Sequence, residues 1–188
     1  QTILTKDGKV FDERISLVDK DILNIFDFNV ILGNLKTALN DNSGLVLNHS
    51  TAIKYFGDEN PVGQTVTIDN KFFTRDYIIT AVIEDLPENS QVNITSMVSI
   101  NENDWQNQQW MFSSWFYHAS HLYYTVKSGT NIDDINDRMP EFVDRNFPMR
   151  QQTNKTSDII SIQSLNIKDL HLKAKGAGEY RPRGNIYA

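Results

Sequence analysis

Two histidines three residues apart, His118 and His121, are the nearest this chain comes to a metal-ligand pair. On a helix that spacing would put both imidazoles on one face, where a carboxylate from elsewhere could complete a zinc site. No third ligand stands nearby, so the pair reads as two ordinary histidines beside a strand start, and His49 and His171 stand alone. The acidic pairs Glu84-Asp85 and Asp133-Asp134 are poorly placed for general acid–base work. Such chemistry needs two carboxyl groups held in different environments across a cleft, whereas neighbours point to opposite faces of a strand or serve the dipole at a helix start. Ser43, Ser50 and Ser90 lack the Gly-x-Ser-x-Gly context of a nucleophile elbow. Gly176-Ala177-Gly178 lacks the Lys-Ser/Thr ending of a phosphate loop and follows no βαβ start. Without cysteine there is neither thiolate chemistry nor a disulfide framework. No enzyme, bound cofactor or metal is expected.

A binding role has better support. All three tryptophans lie between Asn101 and His118, in a run holding Trp105, Trp110, Met111, Phe112, Trp115, Phe116 and Tyr117 beside Asn107, Gln108 and Gln109. Large aromatics dominate burial energetics, so core packing is one reading. The other is an exposed docking surface, since Trp and Tyr are typical interface anchors. On that reading Trp105, Trp110, Trp115, Phe116 and Tyr117 are the candidate partner contacts. The partner is not a nucleic acid: the net charge is −6 and the eighteen Lys and Arg are scattered, while phosphate binders draw affinity from clustered bases.

The elements that would position such a surface can be read from pattern. At 188 residues, 39% apolar and 11% aromatic, the chain can bury a sizeable core. Asp7-Gly8 between apolar runs signals a hairpin, and Asp21 to Phe26 a short helix. Leu45 to Asn48 reads as a strand. Ser50 or Asn48 then caps a two-turn helix ended by Gly57, with Ala52, Tyr55 and Phe56 at i, i+3 and i+4 forming a buried stripe. Asn60-Pro61-Val62-Gly63 is a turn, followed by strands over Gln64 to Ile68, Tyr77 to Glu84 and Asn93 to Ile100. From His121 the pattern becomes strand, helix, strand: Leu122, Tyr124 and Val126 alternate with Tyr123, Thr125 and Lys127, and Ile159 to Leu165 closes the unit. Between them Thr130 or Asn131 caps a helix with Asp133 and Asp134 in its first turn and an apolar face of Ile132, Ile135, Met139, Phe142, Val143 and Phe147. Pro140 falls inside that stripe and must kink or restart the helix.

Three stretches taken together, VDKDILNIFDF from Val18, SGLVLNHSTAIKYFGDENPVGQTVTID from Ser43 and YIITAVIEDLPENS from Tyr77, resemble the MacB-like periplasmic core domain of FtsX-type ABC transporter permeases. The likeness is strongest over Ile15 to Ser90 and weaker over His121 to His171. It implies an α+β fold with mixed sheets, in which a ferredoxin-like porter half-module (residues 1–18 and 121–172, short of one helix at its start) carries an inserted irregular β-rich subdomain (19–116). A tail over 173–188 would lead toward the membrane. It implies a non-catalytic domain at the periplasmic face of the bacterial inner membrane, coupling ATP-driven motion of the transmembrane helices to partners or exported substrate. ATP would be bound by a separate nucleotide-binding domain or subunit in the cytoplasm. Further partners would be the transmembrane helices of the same permease, a second permease copy and a periplasmic adaptor or lipoprotein. No run in the chain is apolar enough to cross a bilayer, so apolar runs of about twenty residues are expected beyond both ends. The rival reading is a stand-alone extracellular domain that binds a peptide or glycan through the Trp-rich segment.

Overall fold

Gly8 adopts φ 75° and reverses the chain between β1 (Thr2–Lys6) and β2 (Lys9–Asp12), which pair antiparallel with Lys6 opposite Lys9. The computed structural model describes residues 2–6, 8–70, 73–88, 90, 92–105, 108–115, 120–147 and 155–170. Six more strands follow: β3 (Ser16–Val18), β4 (Val30–Gly33), β5 (Gly44–Asn48), β6 (Thr65–Asn70), β7 (Thr74–Ile83) and β8 (Ser96–Ser99). All eight belong to one mixed sheet, seven of them in the order β2-β1-β6-β7-β5-β8-β3 and β4 pairing with β7 off that path. The β5–β7 and β3–β8 pairs are parallel and the others antiparallel.

Ten residues long, β7 serves three partners. Its first half pairs with β6, and its second half pairs with β5 on one edge and β4 on the other. The β4 contact is close: a side chain at Gly33, which has φ +82°, would lie 2.2 Å from the Thr80 carbonyl oxygen, so glycine is required there. Every residue of β5 is buried, the signature of a central strand covered on both faces. One cover is α3 (His49–Phe56), whose Ala52, Tyr55 and Phe56 join Leu45, Leu47, Ile79 and Val98 in the core. The other is α2 (Leu35–Ala38): the Thr80 hydroxyl, on the face of β7 opposite Ile79, donates to the Ala38 carbonyl at 3.1 Å. A short α1 (Ile22–Ile25) follows β3.

Asn48 rather than Ser50 caps α3, its side chain accepting from the Thr51 amide at 3.0 Å. Ser50 lies one residue inside the helix, where its amide and hydroxyl both donate to the Asp85 carboxylate, at 3.1 and 2.6 Å. Asp85 is therefore a cap from outside the helix, and Gly57 ends α3 with φ 58°.

The chain divides into two compact units, Gln1–Phe112 and Ser113–Ala188. Residues 2–18, grouped by the sequence reading with 121–172, contribute three strands to the sheet of the first unit. In the second unit Asn131 caps α5 (Ile132–Asn136), accepting from the Asp133 amide at 3.1 Å. The helix then restarts as α6 (Met139–Asn146), with Pro140 in its first turn, where a missing amide leaves no helical bond unmade. Val143 within it and Phe147 directly after it are buried.

Neither strand expected beside these helices forms. Residues 121–127 and 159–165 pair in no ladder among the described residues, and Leu122, Tyr124 and Val126 are 86%, 47% and 42% exposed. Alternation supplies a pattern of faces, but a strand also needs a neighbour's backbone. The two stretches meet by side chains instead. Tyr124 and Ser164 bond hydroxyl to hydroxyl at 2.5 Å, and the Asn136 side chain bridges the Ser164 amide and carbonyl at 2.8 and 3.1 Å.

Candidate functional site

Downstream of β8 a 3-10 turn over Glu102–Asp104, capped by the Asn101 side chain, carries the chain into the tryptophan segment. The turn is held to the sheet by an ion pair between Asp104 and Arg75 of β7. The Asp104 side chain is only 7% exposed. Burial pushes its carboxyl above the ordinary value, while the Arg75 charge pulls it back down. Burial likewise raises the hydroxyl of Tyr77, which is wholly enclosed. This anchor was not legible in the sequence, because twenty-nine residues separate its partners and neither carries a motif.

Trp105 is half-buried directly after the anchor and meets Phe112 edge to face, with ring centroids 5.8 Å apart and planes at 81°. Trp110 opens the short α4 (Trp110–Ser113) and is 57% exposed, and Phe112 beside it is 37% exposed. In the second unit Trp115 is 48% exposed, one side of its ring packing on Phe142 at 5.3 Å and Phe147 at 5.7 Å. The five candidate contacts thus part ways. Trp105 is mostly packing, Trp110 is mostly surface, Trp115 is both, and Phe116 and Tyr117 lie outside the described residues. The division between the two units, after Phe112, falls inside this segment.

A second cluster, also absent from the sequence reading, surrounds Lys54 of α3. Its ammonium pairs with Glu13 and lies 5.7 and 5.4 Å from the ring centroids of Phe11 and Tyr55, which are themselves 4.5 Å apart. The Tyr55 hydroxyl is buried and faces Glu13 without closing a well-formed hydrogen bond, and burial together with that carboxylate pushes it far above its usual value. A cation over two rings and against a carboxylate clamps α3 to the β2 end of the sheet. The lysine fills this box itself, so it works as a brace.

Of the residues weighed for metal binding, His121 is exposed and stacks beside Tyr123 at 6.5 Å, while His118 and His171 lie outside the described residues. Among the described residues no three His, Asp or Glu side chains gather as a metal site. No helix of the described residues is long and apolar enough to cross a membrane.

The profile of the MacB-like periplasmic core domain matches residues 2–142. Among solved structures, a domain of a putative permease protein from Porphyromonas gingivalis superposes with TM-score 0.57 at 22% identity, over 79% of this chain. The periplasmic region of MacB from Actinobacillus actinomycetemcomitans superposes with TM-score 0.51 at 15% identity, over 76% of this chain. The chain spans 61% of the length of each. No curated protein matches it.

Proposed function

The chain belongs to the MacB-like periplasmic core domain family, and from that premise we propose that it is the extracytoplasmic domain of an ABC transporter permease, transmitting movement and performing no chemistry. The observation that carries this reading is the family match over residues 2–142. An eight-stranded sheet followed along the chain by a tryptophan segment that stands partly exposed suits the role. In it, closure of cytoplasmic nucleotide-binding subunits around ATP shifts the transmembrane helices of the permease, and the shift is delivered at the periplasmic face of the inner membrane. The receiving partners are a second permease copy and an adaptor or lipoprotein. Trp110 is the proposed anchor, as the most exposed tryptophan of the segment.

The test is the full-length transporter carrying Trp110→Ala, in a strain deleted for the wild-type gene. Loss of the export phenotype with basal ATP hydrolysis retained is expected. Wild-type export would remove Trp110 from the proposal.

A further inference from the structure

At one margin of the sheet two neighbouring strands end together and a third begins. β3 and β8 run parallel with Val18 level with Ser99, and the Ile100 amide donates to the Val18 carbonyl at 2.8 Å. β5, the antiparallel neighbour of β8, starts at the same margin, fed by the loop that follows α2. In open sheets the crevice outside the carboxyl ends of parallel strands is the usual place for a small ligand. A cavity of about 240 Å³ opens there, lined by Asp19 and Lys20 directly after β3, Asn40 and Asn42 of the loop, and Ser99 and Ile100 at the end of β8, over buried Leu39.

The backbone of this rim is already held. The Asp21 amide donates to Oδ1 of Asp19 at 2.9 Å, Asp41 accepts from the Ser43 amide at 3.0 Å, and the Ser43 carbonyl accepts from the Ile78 amide at 2.8 Å. A Cβ at Gly44 would lie 2.0 Å from the Ala38 carbonyl oxygen, so the loop lies close against the end of α2. The polar groups that line the cavity are, by contrast, uncommitted. Among the described residues Lys20 closes no ion pair, the side chains of Asn40, Asn42 and Ser99 close no hydrogen bond, and Asp19 keeps Oδ2 free. Asp19 and Lys20 are neighbours of opposite charge on one small cavity, yet they do not pair with each other.

An acid, a cation, two carboxamides and a hydroxyl beside an apolar wall complement a molecule that carries an ammonium and a carboxylate on one short frame. An α-amino acid carries both on a single carbon. Size argues the same way: about 240 Å³ falls below the roughly 300–1,000 Å³ of sites for drug-sized ligands, and suits one residue rather than a chain of them. We propose that this cavity binds a free α-amino acid. Its ammonium donates to Oδ2 of Asp19, its carboxylate accepts from the Lys20 ammonium and the carboxamides of Asn40 and Asn42, and an aliphatic side chain lies against Ile100 and Leu39. Charge-assisted bonds are the strong ones, but the two charges here are exposed and screened by water, which sets a dissociation constant of about 1 mM. The site does not depend on the permease reading, because it concerns the chain alone.

The test is titration of the 188-residue chain with L-valine at 0.15 M salt, followed through its amide NMR spectrum. Saturating shifts around Asp19, Asn40 and Ile100, with a Kd of about 1 mM, are expected. Valinamide, which lacks the carboxylate, and N-acetyl-L-valine, which lacks the ammonium, should each bind at least about tenfold more weakly. Lys20→Met keeps the apolar stem and should weaken valine about tenfold while abolishing its preference over valinamide. Asp19→Asn keeps the acceptor for the Asp21 amide and should abolish the preference over N-acetyl-L-valine. Each variant loses one preference and keeps the other, which a general loosening of the loop would not produce. Both residues are exposed, and circular dichroism serves as the check of folding. Phosphoethanolamine, a zwitterion of lipid origin, holds its charges farther apart and should bind at least about tenfold more weakly than valine. Shifts that stay linear to about 50 mM valine, equal binding of valine and valinamide, or single variants that bind valine as the wild type does would each overturn the proposal. Phosphoethanolamine bound more tightly than valine would overturn it in favour of a lipid headgroup.

Discussion

The two units keep their order by different means. In residues 1–112 the backbone of one strand satisfies the next across eight strands, and the apolar side chains between the sheet and α3 are almost wholly enclosed. In residues 113–188 the buried residues among those described are few: Val143, Phe147 and Thr156. Polar side chains there do what ladders do in the sheet. The Thr156 hydroxyl donates to the Phe147 carbonyl at 2.7 Å, Asp144 accepts from both the amide and the hydroxyl of Ser157, and Asn136 holds Ser164 by its backbone. A sheet draws its stability from area removed from water, and loses it in proportion to the volume deleted. A unit tied by single polar bonds loses it one contact at a time, through the group left unsatisfied.

That contrast can be broken most directly at Phe56, 5% exposed in the core of the sheet unit. Phe56→Ala should cost about 3–5 kcal/mol in chemical denaturation. A loss below about 1 kcal/mol would mean that α3 contributes little to the first unit. A smaller effect is expected at Thr156, where Thr156→Val keeps the shape and strands the Phe147 carbonyl, costing about 1–2 kcal/mol. Because the bond lies within the second unit, amide exchange should quicken around α6 and stay slow in β5 and β7; uniform quickening would show that the units unfold as one. The smallest effect belongs to Trp110, more than half exposed on α4. Trp110→Ala should shift the unfolding free energy by less than about 0.5 kcal/mol. A larger shift would reassign that ring from surface to packing.

The same contrast explains what could be read from the sequence. Local signals carried the first unit well: the glycine of the hairpin, the Ala52-Tyr55-Phe56 stripe, Gly57 after α3 and the alternation through Val66 and Ile68 all describe structure set by neighbours in the chain. Pro140 was legible too, as the restart of a helix. Strands at 122–127 and 159–165 were expected and are absent, because alternation resembles a strand whether or not another backbone lies alongside. The attachment of residues 2–18 to the sheet was hidden for a related reason: β3 has its partner in β8 and β1 in β6, far along the chain. The aromatic segment was visible as composition, yet its three tryptophans divide between packing and surface according to Phe112, Phe142 and Phe147, which no spacing rule connects.

The parallel pairing of β3 with β8 has a consequence for how the molecule comes into being. Arg14, just ahead of β3, offers its carbonyl to the hydroxyls of Thr95 and Ser96, contacts that span 81 and 82 residues of chain. A loop of that length costs more entropy to close than any hairpin in the sheet, and pairings of this kind slow folding. When the chain emerges from its amino end, β3 appears long before its partner β8, the last strand of the sheet. Until β8 arrives, the edge of β3 stands open to whatever strand it meets, and the interval is when this protein is most exposed to aggregation.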